Sequence, residues 1–210
     1  EPQRDADGRY ATYAARHRAQ CEAVLSNRPD LVFLGDSITA RWPAELLQDA
    51  YGRYRPVNLG VGGDWIQNVL WRVRHGVLGQ VAVKVIVLLI GTNNLSNRFP
   101  PDEVADGMAG LLQALREASP GSKILLLGIL PRGASWPDPS NDKVRQANER
   151  LAKLANGKTV FYLDVGAALV EPDGTIREDV MPDRLHVAQP GFVRWLSAMR
   201  PTLDSLLEQP

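Results

Sequence analysis

Val85-Ile86-Val87-Leu88-Leu89-Ile90, running directly into Gly91-Thr92-Asn93-Asn94, is the longest apolar run in the chain, and the fold is decided by what it can be. It falls far short of the roughly 18 residues of a membrane span. Bounded by polar turn residues, it reads as a strand buried on both faces. Leu31-Val32-Phe33-Leu34, Val57-Asn58-Leu59, Ile124 to Leu127 and Val160 to Leu163 are runs of the same kind. Between them lie stretches of helical period. Val104, Met108, Leu111, Leu112 and Leu115 form one face behind Pro100-Pro101-Asp102; Val144, Ala147, Leu151 and Leu154 form a second, and Phe192, Trp195, Leu196 and Met199 a third. Only helical crossovers return a chain to start a parallel neighbour, so the alternation predicts an α/β domain: a three-layer α/β/α arrangement around a five-stranded parallel sheet.

The remaining composition narrows the function classes. With 210 residues, 44% of them hydrophobic, residues 1–210 read as one domain, in which an Arg-rich N-terminal helical segment, residues 1–28, packs on the rest. A chain of this length buries about 70% of its unfolded surface and needs no disulfide or structural metal. Cys21 is the single cysteine, which excludes an internal disulfide and a Cys-based zinc site. The 24 Lys plus Arg balance 24 Asp plus Glu, so there is no basic excess to attract nucleic acid, and no transmembrane segment occurs. A small neutral substrate is the expected partner. The start at Glu1 fits a removed signal peptide and a secreted or periplasmic protein, with a trimmed chain and a cytoplasmic location as the alternative.

In open α/β sheets the site lies beyond the carboxyl ends of the strands. There the sequence places Gly35-Asp36-Ser37 after the first run, Asn58-Leu59-Gly60-Val61-Gly62-Gly63-Asp64 at the second and Gly91-Thr92-Asn93-Asn94 after the third. Ser37, between a strand and a helical stretch, reads either as a nucleophile or as a helix N-cap. A serine nucleophile needs a histidine oriented by a carboxylate. Of the three histidines, His17 and His75 read as surface residues, His75 at a helix end where it meets the dipole. His186 follows Asp183 by three residues in a Pro-bounded loop ahead of the last helix, and that loop is expected to open on the same sheet edge. Acyl transfer also requires donors for an oxyanion, for which Gly63 can bring its backbone close and Asn93 can offer a side-chain amide. Competing motifs fail: Trp65 stands where a dinucleotide fingerprint needs its third Gly, there is no phosphate-binding loop, and no His-Glu-x-x-His occurs. Asn94-Leu95-Ser96 matches a glycosylation sequon and is read as coincidence.

Gly35-Asp36-Ser37, the Gly in Gly62-Gly63-Asp64, Asn93 in Gly91-Thr92-Asn93-Asn94, and Asp183-x-x-His186 resemble, in order, the four blocks of the SGNH (GDSL-type) hydrolase family. Asn68-Val69-Leu70-Trp71-Arg72 and Leu130-Pro131-Arg132-Gly133 are similar to the branch that holds the catalytic alpha subunits of platelet-activating-factor acetylhydrolase. The resemblance implies a flavodoxin-like strand order, no metal and no organic cofactor. It implies Ser37 as nucleophile, His186 as base and then acid, and Asp183 as the residue that orients His186. The oxyanion hole would be Ser37 N–H, Gly63 N–H and the Asn93 amide, while Asp36 serves the turn through local hydrogen bonds. Ile38 and Leu185, both bulky, would line a shallow acyl pocket, so a short acyl group, above all acetyl, is expected from a carbohydrate or small-molecule ester. Trp42, Trp65 and Trp136 either pack or stack on sugar rings. The alternatives are a lysophospholipase or thioesterase, and a non-catalytic glycan- or flavin-binding module; the expected assembly is a monomer or homodimer.

Overall fold

A computed structural model describes residues 9–208 of the protein. Residues 1–8 of the expected N-terminal segment lie outside the described residues. Five parallel strands, β1 (Leu31–Gly35), β2 (Val57–Gly60), β3 (Val85–Leu89), β4 (Lys123–Leu127) and β5 (Val160–Leu163), pair in the order β2-β1-β3-β4-β5. This is the flavodoxin-like order, whose direction of winding reverses between β1 and β3.

Eight α-helices accompany the sheet among the described residues: α1 (Arg9–Asn27), α2 (Ser37–Ala40), α3 (Ala44–Tyr51), α4 (Ile66–Arg74), α5 (Thr92–Ser96), α6 (Pro101–Ala118), α7 (Asp142–Ala152) and α8 (Gln189–Glu208). None is long and apolar enough to cross a membrane. β1 and β3 are buried at every position. Side chains alternate across the sheet, so Val32, Leu34, Ile86, Leu88 and Leu126 join one apolar layer with α4, α6 and α7. Leu31, Phe33, Val87, Leu89 and Leu127 join the other with α3 and α8. The predicted three layers are therefore the two faces of one sheet, each sealed by helices. α6 starts where the prolines pointed, with Pro101 at its first turn and Asp102 and Glu103 favourably placed at the positive end of its dipole.

Register brings the turns to one level. Gly35 pairs with both Gly60 and Leu89, so the segments after β1, β2 and β3 emerge side by side. Gly35 is required for this: a Cβ there would lie 2.1 Å from the Leu89 carbonyl oxygen and 2.3 Å from Thr39 Oγ1. Any side chain would push α2 off the sheet.

One expectation is corrected and one open alternative is decided. His17 is buried, not on the surface: its Nε2 bonds the His75 carbonyl at 3.1 Å and its ring meets Trp71 edge-on, fastening α1 to α4. Burial lowers its pKa. Trp42 is no sugar platform, because it is buried in the α8 layer against Phe33, Phe192 and Trp195. Trp65 is half-buried against Phe99, and Trp136 is half-buried beneath the Arg145 guanidinium. His75 caps α4 as expected, and Asn94 of the sequon is buried with its amide bonded to Ile66 N–H and Gln67, out of reach of a glycan.

Candidate active site

Ser37 is the first residue of α2, and the N-cap is Asp36, whose Oδ1 accepts the Ile38 N–H at 2.9 Å. The capping alternative for Ser37 therefore falls. Its hydroxyl is free of that task and lies 2.9 Å from His186 Nε2. His186 Nδ1 lies 2.6 Å from Asp183 Oδ2, while Asp183 Oδ1 accepts the backbone N–H groups of His186 at 2.6 Å and Leu185 at 3.1 Å. Those backbone donors, with the imidazole, hold the Asp183 carboxyl down to about 2. Asp183 is thus a carboxylate throughout the neutral range, and its two oxygens are divided between loop and ring. The loop is pinned in turn: Arg184 has φ +62°, its carbonyl accepts the Gly133 N–H at 2.9 Å, and its guanidinium bonds Ile176 O and Glu178. Arg41 approaches Asp183 from the solvent side at 3.7 Å.

The turn after β2 passes beside the serine: a Cβ on Gly62 would come within 3.9 Å of Ser37 Cβ. Gly63 has φ +79°, a left-handed conformation costly for any residue with a side chain. Asn93, in the first turn of α5, donates from Nδ2 to the Asp64 carbonyl at 2.9 Å. The turn after β2 thus lies beside Ser37 at Gly62 and is tied to Asn93 through the Asp64 carbonyl, while His186 and Asp183 reach Ser37 from the loop before α8. Ile38 is buried in the α8 layer and Leu185 is half-buried in the loop. Arg132 reaches across to Thr92 O, Thr92 Oγ1 and Ser96 Oγ, tying the loop after β4 to α5.

A polar layer beneath these turns was not anticipated. Asp64 and Arg72 are both fully buried and paired at 2.7 Å. Burial pushes Asp64 up to about 6 against the opposing pull of Arg72. The Tyr13 hydroxyl, also bonded to Asp64 at 3.3 Å, has its pKa raised by burial and by that carboxylate. One sequence signal existed: Arg72 sits on the α4 stripe of Ile66, Val69 and Val73, where the period calls for an apolar residue.

Asp36 has a testable consequence for stability. It is 1% exposed, its Oδ2 has no hydrogen-bond partner, and burial, with Asp64 nearby, pushes its carboxyl up to about 7. An unfolded Asp titrates near 4. Between about pH 4 and pH 7 the folded state therefore holds the proton that the unfolded state has lost, and stability falls as pH rises through that window. Asp36→Asn keeps an oxygen for Ile38 N–H and removes the titration. It is expected to match the parent near pH 4 and to exceed it at pH 8 by up to about 4 kcal/mol, three units at 1.36 kcal/mol each. Urea unfolding at the two pH values checks it; an equal difference at both would refute the assignment.

The sequence profile described as the GDSL-like lipase/acylhydrolase family matches residues 33–192, a span that contains Ser37, Gly63, Asn93, Asp183 and His186. The human platelet-activating factor acetylhydrolase IB subunit alpha1 is 32% identical over 210 residues, covering 99% of this chain and 89% of the human protein. A GDSL-like lipase from Bacteroides thetaiotaomicron superposes with a TM-score of 0.73 at 17% identity, over 92% of this chain and 98% of that one. A carbohydrate acetylesterase from Sinorhizobium meliloti does so with a TM-score of 0.67 at 17% identity, over 84% of this chain and 98% of that one. The two superpositions show a shared fold. The profile match and the identity over the whole chain show descent as well, and the chain belongs to the GDSL-like lipase/acylhydrolase family of acyl hydrolases.

Proposed function

We propose that the protein is a serine esterase that removes short acyl groups, acetyl above all, from an ester of a carbohydrate or small molecule. The observation that carries it is the unbroken line from Ser37 Oγ through His186 to Asp183, with contacts of 2.9 and 2.6 Å. Ser37 Oγ attacks the ester carbonyl as His186 Nε2 takes its proton, and the carbonyl oxygen becomes an oxyanion. Asp183 stabilises the imidazolium through Nδ1–H. The oxyanion is received by Ser37 N–H, Gly63 N–H and Asn93, whose amide has two hydrogens and spends one on Asp64. Collapse expels the alcohol, which takes the proton from His186. Water then attacks the acyl-serine with His186 again as base, and release of the carboxylic acid restores Ser37.

The acetyl preference rests on Ile38 and Leu185 as the walls of a shallow acyl pocket, and on the names of relatives that act on acetyl esters. Ile38 is locked in the core and has little freedom to move aside for a long chain. Residues 1–210 act in this proposal as a single domain.

Hydrolysis of p-nitrophenyl acetate, butyrate and octanoate tests the chemistry and the pocket together. Acetate is expected to give the highest kcat/KM, falling by at least about tenfold to octanoate, the equivalent of about 1.4 kcal/mol. A preference for octanoate would overturn the pocket. Mass spectrometry after treatment with an organophosphonate should find a single adduct, on Ser37; an unmodified Ser37 would favour a binding module over an enzyme.

A further inference from the structure

We propose that Arg72 is a positioning residue for the oxyanion donors: one buried guanidinium sets the relative placement of the turns that carry Ser37, Gly63 and Asn93. The proposal rests on the esterase function above and goes beyond the residues named there. Arg72 is 0% exposed. Nη1 donates to Leu59 O at 2.7 Å and Gln20 Oε1 at 3.1 Å; Nη2 donates to Asp64 Oδ2 at 2.7 Å and Gly35 O at 3.3 Å. All four terminal N–H groups are spent, on four different segments.

Three of those four lead to the site. Gly35 ends β1, two residues before Ser37. Leu59 lies in β2, ahead of the turn that bears Gly63. Asp64 closes that turn, and its carbonyl is the one that holds the Asn93 amide at 2.9 Å. The planar fork of a guanidinium fixes the angles among its acceptors, so these turns are referred to one rigid group rather than only to one another. None of its partners is a reacting atom, so Arg72 acts through the donors and not on substrate.

An apolar side chain would strand the Asp64 carboxylate and the Leu59 and Gly35 carbonyls, so a contribution to the fold is expected too, and the rate per folded site is what separates it from the placement of the donors. The stripe of Ile66, Val69 and Val73 already seals α4 to the sheet, and taking a charged pair out of water is costly even when it is well bonded. The return on that cost is geometric: displacing a reactive arrangement by about 1 Å can lower the rate about 10²-fold. Lys at this position would keep a charge for Asp64 but would present three N–H groups from a single atom, and could not span Leu59, Gly35 and Asp64 together.

The experiment compares parent, Ser37→Ala, Arg72→Lys and Arg72→Met on p-nitrophenyl acetate. Rates are expressed per active site, counted by organophosphonate incorporation at completion, and a thermal melt is recorded for each protein. Turnover by the parent that Ser37→Ala abolishes establishes the esterase; without it the underlying function fails, and the Arg72 proposal falls with it. Given that turnover, Arg72→Met is expected to lower kcat per site by about 10²-fold and Arg72→Lys by about tenfold, with KM within about threefold of the parent and the acidic limb of the pH profile unmoved, because Asp183 and His186 lie on another loop. A kcat per site within about threefold of the parent in a folded Arg72→Lys or Arg72→Met protein overturns the proposal. So does a loss that appears only as fewer active sites or a lowered melting temperature. Failure of both variants to melt cooperatively would make Arg72 a residue of stability and would equally overturn it.

Discussion

Ser37→Ala is expected to lower kcat/KM for p-nitrophenyl acetate by about 10⁴- to 10⁶-fold, with the fold unchanged. The size of the loss follows from what remains. The variant keeps the backbone N–H at position 37, Gly63 and Asn93, which can still polarise a bound carbonyl, but no covalent route is left and His186 has no hydroxyl to deprotonate. Retention of the fold follows from the local hydrogen bonds. The cap of α2 belongs to Asp36, through the 2.9 Å bond from Ile38 N–H, and the Ser37 hydroxyl is directed to His186. Ala is also a good residue for a first helical turn. The melting temperature should stay within a few degrees of the parent, as expected for a ΔΔG below about 1 kcal/mol. A variant retaining a tenth or more of the parent rate would remove Ser37 from the mechanism.

The second large effect is expected at Asp183. Asp183→Asn should lower kcat by about 10⁴-fold while changing KM little. An Asn there can keep its oxygen on the backbone N–H groups of Leu185 and His186, which preserves the loop. Its amide nitrogen would then face His186 Nδ1, where the carboxylate oxygen now sits at 2.6 Å. A donor in that place favours the tautomer with the proton on Nε2, which points at Ser37 and cannot accept from it. The comparison is clean because the parent Asp183, held at about 2, stays ionised well above about pH 3 and contributes no titration of its own to the neutral pH profile. Loss of activity in Asp183→Asn smaller than about tenfold would mean that Asp183 orients the loop only and not the ring tautomer.

The strands were legible because each is a short run that is apolar on both faces, a pattern that only a sheet covered by helices on both sides accommodates. Ser37, Asp183 and His186 were visible as candidates because all three fall at strand ends or in the loop before α8. That Ser37 meets His186 at 2.9 Å was not readable from chain positions separated by 149 residues. The choice between nucleophile and cap at Ser37 stayed open in the sequence for a local reason. Asp36 and Ser37 are both good caps, and the choice depends on which backbone enters the helix first, a matter of one residue that the structure gives to Asp36. His17 was misplaced because it belongs to a helix whose buried side is defined only by α4 packed against it, at Trp71 and His75.

Arg72 marks the division most clearly. Sequence alone determined the α/β class, the order of the elements and the polar residues that end the strands, because these follow from local periodicity and turn chemistry carried along the chain. Which polar side chains are buried together was decided by tertiary structure, because an arginine at an apolar helical position is tolerable only when carbonyls from two strand ends and a carboxylate from a third segment converge on it. That convergence depends on the parallel register of β1 with β2 and β3, which no single stretch of the chain encodes.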